Sequence, residues 1–312
     1  MRLIRYAVAV LTVTCILLAA VVVPAAAAER QVTLTIQTVV SNPSSSPATV
    51  KLSIPLISSS SSPYQSLLSE SFTPQPVKIE ENGDTRTAHF EVRVPAGQSV
   101  TIEERYVLAL KPYQRPEAGQ YSLSEAERAF YLKGEPTIEA DHPTLRKVAA
   151  QVTEGAATVE EKAQAVFRYV RGKLRYNASS TAANKGALAA YEAGSGVCQE
   201  FASLFVALMR ASGVPARVVN GYVLLDSQRR LTTQGFAQRV RHQWAEYFDP
   251  AYGWVPVDPT FESTPDASLS RPAYVRQNFG DRPVKGTSAG AKVSLSRSAS
   301  VTELTVEAAL QN

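Results

Sequence analysis

Cysteine and histidine are scarce in this chain of 312 residues, which contains two cysteines and three histidines. Cys15 lies in an N-terminal apolar run, so Cys198 is the only cysteine in the rest of the sequence. One cysteine cannot form an intramolecular disulfide, and no short Cys/His spacing typical of a zinc site is present. These absences exclude a disulfide scaffold, and we expect neither a metal nor another cofactor.

A strong charge of either sign is also missing. The chain has 32 basic and 28 acidic residues, for a formal net charge of +4. The basic residues are scattered, with short groups such as Arg229-Arg230 that are typical of solvated loops. We therefore expect no nucleic-acid partner, and the 45% hydrophobic content indicates a globular protein with a substantial core.

The N-terminus has the composition of an export signal. Arg2 and Arg5 precede an apolar run over 6–23, and three alanines then stand before Glu29. This order is typical of a signal peptide over residues 1–28. An uncleaved run of this length could also span a bilayer and tether the protein to the membrane. Both alternatives predict a secreted or extracytoplasmic protein.

Alternation of polar and apolar residues dominates the next segment and predicts strands. Turn-forming residues such as Asn82-Gly83 separate these strands, which indicates a small β-sandwich-like domain over 29–112. A connector rich in Pro, Gly and Glu follows over 113–140 and contains one short helix. The predicted strands are 31–40, 48–56, 87–95 and 99–110.

Helical periodicity replaces this pattern in the second half of the chain. Thr158 and Glu161 form a capping-box pattern, and the apolar helix after Val197 ends at Gly213. After Pro215 the period changes to two and predicts three strands, so we expect an α+β domain over 141–265 with helices packed on an antiparallel sheet. A C-terminal extension over 266–312 has one or two possible strands.

Cys198 opens the most apolar of the predicted helices. The unpaired N–H groups and the positive dipole end of a helix N-terminus favour the thiolate, which is the nucleophilic form of cysteine. A buried cysteine acting as a small apolar residue is the alternative. A nucleophile would need an imidazole beside it and a third group to orient that imidazole.

His242 is the histidine that suits this role, because His89 lies in a sandwich strand and His142 at a helix entry. If 249–253 form a turn centred near Ala251, His242 lies opposite position 260 of the next strand. Asp258 is two positions away and therefore faces the same side as His242. Packing of that face against the Cys198 helix would bring the three groups together.

Two motifs carry a family resemblance: "GVCQEFASLFVALMRASGVPARVVNGY" and, downstream, "RHQWAEYFDPAYGWVPVDPT". In type and order they resemble the core of the transglutaminase-like superfamily of papain-like Cys-His-Asp enzymes, over roughly residues 140–262. The resemblance implies that Cys198 is the nucleophile, His242 the general base and acid, and Asp258 the residue that orients the imidazole. The β-rich N-terminal part loosely resembles the extra domain of secreted bacterial members.

Two tryptophans are further candidates near these motifs. Trp244 shares a face with His242 and could wall the site or offer an indole N–H to the oxyanion, and Trp254 could line the acyl pocket. Core packing is the alternative for both tryptophans and is the favoured interpretation. Gln199 and Glu200 follow the cysteine and are expected to serve the first helical turn.

The resemblance implies a cysteine-dependent acyl transferase or hydrolase acting on a protein or peptide. A carboxamide or peptide carbonyl would form a thioester with Cys198, which water or an amine would then resolve. Water makes the protein a thiol protease or amidase, and an amine makes it a transglutaminase. The alternative is a catalytically silent extracellular binding or scaffold protein that retains the fold.

Overall fold

The computed structural model describes residues 29–60, 62–225, 228, 238–280 and 283–303. The predicted signal segment, 1–28, lies outside the described residues. Among the residues that are described, no helix is long and apolar enough to cross a membrane.

The described part of the chain begins with six antiparallel strands that belong to two sheets. Alternating side chains are buried along them, for example Val32, Leu34 and Ile36, as expected for strands with one face in a core. The strands are β1 (Arg30–Ser41), β2 (Ala48–Pro55), β3 (Gln65–Thr73), β4 (Lys78–Asn82), β5 (Thr85–Val94) and β6 (Ser99–Leu110).

Five helices follow, and local capping explains where several of them begin. Ser124 caps α1, and Thr158 with Glu161 forms the predicted capping box of α3. Two short parallel strands, β7 and β8, lie between α3 and α5. In chain order the elements are α1 (Glu125–Leu132), α2 (Pro143–Val152), α3 (Val159–Lys173), β7 (Arg175–Tyr176), α4 (Ala187–Ala193), β8 (Ser195–Gly196) and α5 (Cys198–Ala211).

A third sheet packs against α5, whose residues from Glu200 to Arg210 are all buried. It consists of β9 (Ala216–Leu225), β10 (Gln238–Asp249), β11 (Gly253–Val257) and β12 (Tyr274–Phe279), antiparallel in the order β11-β10-β9-β12. Together with the helices it forms an α+β unit, which confirms the predicted fold class. The unit includes β12, so it extends beyond the boundary predicted at residue 265.

The C-terminal strands return to the first two sheets. β13 (Lys285–Ala289) pairs with β2, and β14 (Ser294–Glu303) pairs with β1 along ten residue pairs from Val32 to Ser41. The resulting sheets have the orders β14-β1-β6-β3 and β13-β2-β5-β4. Residues 285–303 of the predicted C-terminal extension are therefore an integral part of the sandwich.

The sandwich and the α+β unit also make direct polar contacts. Gln65 bonds the backbone of Arg276 through both side-chain atoms, at 2.6 and 3.0 Å, and the Tyr64 hydroxyl donates to Glu246 at 3.0 Å. All four residues are buried. Because unpaired polar groups are costly in such a place, these bonds fix how the sandwich sits on the sheet.

Candidate active site

Cys198 is the first residue of α5 and is half-buried. The turn before it is tightly packed: the Glu200 carboxylate accepts a hydrogen bond from the Val197 N–H at 3.1 Å. A Cβ on Gly196 would lie 2.3 Å from the Glu200 Cβ, so glycine is needed there. Glu200 thus serves the helix start, as predicted, and fixes the place where the Cys198 sulfur emerges.

The hairpin of β10 and β11 presents the other two predicted residues. Ala245 pairs with Val257, which places the turn centre at Ala251, as the sequence indicated. The His242 Nε2 atom lies 2.8 Å from Asp258 Oδ2, and both side chains are buried. The structure therefore brings His242 and Asp258 into direct contact.

Both oxygens of the Asp258 carboxylate have partners. Besides His242, Oδ2 accepts a hydrogen bond from the Tyr274 hydroxyl at 2.7 Å, and Oδ1 accepts from the backbone N–H groups of Thr260 and Phe261 at 2.8 and 3.3 Å. Burial by itself raises the pKa of Asp258, but the charge of His242 and these bonds outweigh it and hold the pKa below the usual range. The carboxylate is therefore ionised.

The pKa of the His242 imidazole is shifted upwards, whereas that of Asp258 is shifted downwards. Burial disfavours the imidazolium, yet the Asp258 carboxylate raises the pKa of His242 to about 9, and an interaction with the Cys198 side chain adds to the rise. Cys198 is therefore close enough to His242 for the two to interact. An imidazolium beside a cysteine favours its thiolate, so the arrangement suits nucleophilic chemistry.

The packing around His242 differs from the one expected. We predicted that the face of β10 carrying His242 and Trp244 packs on the Cys198 helix. Instead Ala245 and Tyr247, on the other face, pack in the core of α5, while Trp244 belongs to the core shared with the sandwich. Because β11 ends opposite Ala245, the edge of β10 is unpaired at His242, and Asp258 reaches the imidazole there.

The two tryptophans have different surroundings. Trp244 is fully buried, and its ring stacks on His242 at a centroid distance of 6.1 Å. Among the described residues, its indole N–H has no hydrogen-bond partner. Trp254 pairs with Phe248, six residues along β10 from His242. It lines a cavity of about 950 Å³ between the sandwich and the α+β unit, and the Arg217 guanidinium lies over its ring at 4.0 Å. Trp254 therefore does not join the group around Cys198.

Three neighbours of the site were not predicted from the sequence. Tyr274 lies on β12, Phe261 contacts the His242 ring edge-on at 4.9 Å, and the buried Glu262 lies beyond Asp258. Phe261 and Glu262 follow Asp258 within four residues, and this closeness was the only available signal. Tyr274 is brought in by a strand pairing that no short sequence window shows.

The remaining histidines have structural roles, as expected. His89 bonds Ser53 on a neighbouring strand at 3.1 Å, and the His142 Nδ1 atom caps α2 by accepting from the Thr144 N–H at 3.3 Å. Within the described ranges, no group of three or more His, Cys, Asp or Glu side chains is arranged to hold a metal ion.

Comparison with known proteins agrees with this geometry. Residues 146–259 match the family model of the transglutaminase-like superfamily. This segment holds α5, the β10–β11 hairpin and the residues Cys198, His242 and Asp258. The chain thus carries a transglutaminase-like domain, and the resemblance drawn from the two motifs is confirmed.

Two relatives give the extent of this likeness. A protein-glutamine gamma-glutamyltransferase of Pseudomonas aeruginosa is 37% identical over 79 residues, which cover 24% of this chain and 11% of that protein. An uncharacterized protein of Mycobacterium leprae is 33% identical over 121 residues, which cover 38% of this chain and 42% of that protein. The chain thus spans less than half the length of either relative.

A solved structure shares the fold more widely. It belongs to a candidate cysteine protease of Cytophaga hutchinsonii, with a TM-score of 0.58 and 18% sequence identity. The match covers 89% of this chain and 94% of the other. The common architecture therefore includes most of both chains.

Proposed function

We propose that this protein is an exported thiol enzyme that transfers an acyl group from a carboxamide or peptide bond, through a Cys198 thioester, to water or an amine. The observation that carries the proposal is the His242–Asp258 contact of 2.8 Å, with the imidazole also interacting with Cys198. A nucleophile, a base and an orienting carboxylate are the three parts that such chemistry needs.

The first half of the reaction forms the thioester. The Cys198 thiolate attacks the carbonyl carbon, and the carbonyl π electrons move to oxygen. The backbone N–H of Cys198, at the start of α5, is the proposed donor to this oxyanion. As the tetrahedral intermediate collapses, the His242 imidazolium gives its proton to the departing nitrogen, and ammonia or an amine leaves.

The second half of the reaction returns the enzyme to its starting state. Neutral His242 takes a proton from water or from an amine as it attacks the thioester, and the Cys198 thiolate departs. Because Nε2 bonds Asp258, Nδ1 is the ring nitrogen left to exchange protons with the reacting groups. Asp258 fixes this orientation of the ring and stabilises its charged form without itself taking the proton.

The proposal leaves two acceptors open, an amine and water. The likeness to a glutamyltransferase supports an amine acceptor, although it covers only 24% of this chain. Water as acceptor would give peptide or carboxamide hydrolysis. In both cases we propose a protein or peptide as substrate, because its carbonyl is the group that the thiolate attacks.

A paired assay separates the two acceptors. The purified protein is incubated with a glutamine-bearing protein and a fluorescent primary amine, and peptide cleavage and ammonia release are followed in parallel. Amine incorporation without cleavage indicates a transglutaminase, and cleavage or ammonia release without incorporation indicates a protease or amidase. If none occurs and Cys198→Ala retains binding to a partner, the scaffold alternative replaces the enzyme.

The proposed location has its own test. Cell fractionation with N-terminal sequencing of the recovered protein is expected to find it outside the cytoplasm. A chain that begins near Glu29 would indicate a cleaved signal peptide. An intact N-terminus in the membrane fraction would indicate an anchor, and an intact chain in the cytoplasm would contradict export.

A further inference from the structure

The Asp258 carboxylate has a second side-chain partner that the proposed reaction does not use. The Tyr274 hydroxyl donates to Oδ2 at 2.7 Å, and this is the same oxygen that contacts His242 at 2.8 Å. Tyr274 comes from β12, on the far side of the sheet from β11, and is only 2% exposed. Its phenol therefore reaches the carboxylate from a different strand than the imidazole does.

Such an arrangement restricts how the carboxylate can turn. Thr260 and Phe261 hold Oδ1 through their backbone N–H groups, while Tyr274 and His242 share Oδ2. Rotation of the carboxylate would break bonds at both oxygens. Burial raises the pKa of Tyr274 well above its ordinary value, so the phenol remains a neutral donor.

We propose that Tyr274 is a positioning residue of the acyl-transfer reaction: its hydroxyl holds the Asp258 carboxylate in line with His242. One hydroxyl has one proton to donate, and here it goes to Oδ2, the same oxygen that faces the imidazole. The inference rests on the proposed function for its catalytic meaning but not for its measurement.

The main test is Tyr274→Phe, which keeps the ring and removes the donor. We expect kcat to fall about ten- to a hundredfold with little change in KM, because a hydrogen bond to a charged group is lost. Asp258 then becomes a stronger acceptor for His242, so the imidazole should titrate at a higher pH than in the wild type. A residue with a packing role alone would leave that titration unchanged.

The titration is followed by NMR of protein labelled at histidine, with His242→Ala used to assign the signal. This measurement needs no turnover, so the positioning of Asp258 remains testable even if acyl transfer is not found. Tyr106→Phe is the matched control, because Tyr106 makes the same kind of bond to a buried carboxyl, Glu104, at 2.8 Å in the sandwich. It should change neither kcat nor the His242 titration. Unchanged kcat and an unchanged His242 titration in folded Tyr274→Phe would overturn the role of Tyr274.

Discussion

Two buried carboxylates of this protein have similar neighbours, but their pKa values are shifted in opposite directions. They are Glu104 in the sandwich and Asp258 in the α+β unit. Both are fully buried, and each accepts a hydrogen bond from a tyrosine, Tyr106 at 2.8 Å or Tyr274 at 2.7 Å. Each also faces a cation, Arg297 or His242. Yet burial raises the pKa of Glu104, whereas the pKa of Asp258 is lowered.

The donors explain this difference. Burial is the largest effect at both residues and raises both pKa values. At Asp258 the partners include two backbone N–H groups on Oδ1 as well as the imidazole and the phenol on Oδ2. A complete set of donors outweighs the effect of burial on the pKa of Asp258, whereas the donors of Glu104 do not outweigh it. The site is thus distinguished by the completeness of its hydrogen bonds rather than by burial.

The largest expected difference in turnover between the two regions comes from removing the reacting groups of the α+β unit. Cys198→Ala and His242→Ala should each reduce turnover by about a thousandfold or more, since each deletes a participant in bond making or proton transfer. His89→Ala in the sandwich is the matched control and should keep wild-type turnover. The measurement is the initial rate of amine incorporation or peptide cleavage, and substantial activity in Cys198→Ala would contradict the assignment.

The exchange of a carboxylate for an amide tests the two acids directly. Asp258→Asn should lower kcat about a thousandfold, because the amide can neither fix the imidazole tautomer nor stabilise its charge. The pKa of His242 should fall from about 9 towards the ordinary 6.5. Glu104→Gln should leave both unchanged. Equal losses of activity in the two variants would show that burial of any acid matters, not the donors at Asp258.

The dependence of stability on pH should follow the imidazole. Since the pKa of His242 is raised from 6.5 to about 9 in the folded protein, its contribution to the free energy of unfolding is complete below pH 6.5. This contribution is lost as the pH rises from 6.5 through about 9. The thermal unfolding temperature of the wild type should therefore fall more over this pH range than that of Asp258→Asn. Parallel curves for the two proteins would contradict the pairing.

Local sequence patterns were enough to predict the hairpin that carries His242 and Asp258 and the helix that begins at Cys198. The turn at 249–253 fixes the register of β10 and β11, so the proximity of His242 and Asp258 follows from counting residues. The apolar helix and its start at Cys198 follow from periodicity. The wrong step was the choice of packing face, because alternation tells which residues share a face but not what covers it.

The remaining features could not be predicted because they depend on contacts between distant parts of the sequence. β12 was missed because Arg276, Gln277 and Asn278 are polar yet buried. Arg276 and Gln277 bond backbone carbonyls of the sandwich, and such partners cannot be read from the strand itself. Tyr274, at the start of that strand, was missed with it. The pairing of β14 with β1 joins the first and the last described strands. Alternation of polar and apolar residues predicts a strand but does not show which other strand it pairs with.

The smallest expected effect concerns Trp244. Its buried indole N–H has no partner among the described residues, so Trp244→Phe should retain near wild-type turnover. The smaller ring leaves a cavity in the core, so the variant should unfold at a lower temperature. Trp254→Phe, in the cavity between the domains, is the matched control. A drop in kcat of about a hundredfold in Trp244→Phe alone would instead assign the indole to the oxyanion and correct the packing interpretation.

The pH dependence of Cys198 alkylation by iodoacetamide tests the central claim most directly. If the sulfur is held as a thiolate by the His242 imidazolium, the purified wild-type protein should react rapidly well below pH 8, and His242→Ala should lose this reactivity. A wild-type rate that rises only as an ordinary thiol ionises, near pH of about 8.5, would contradict the account. The same rate in His242→Ala would contradict it equally.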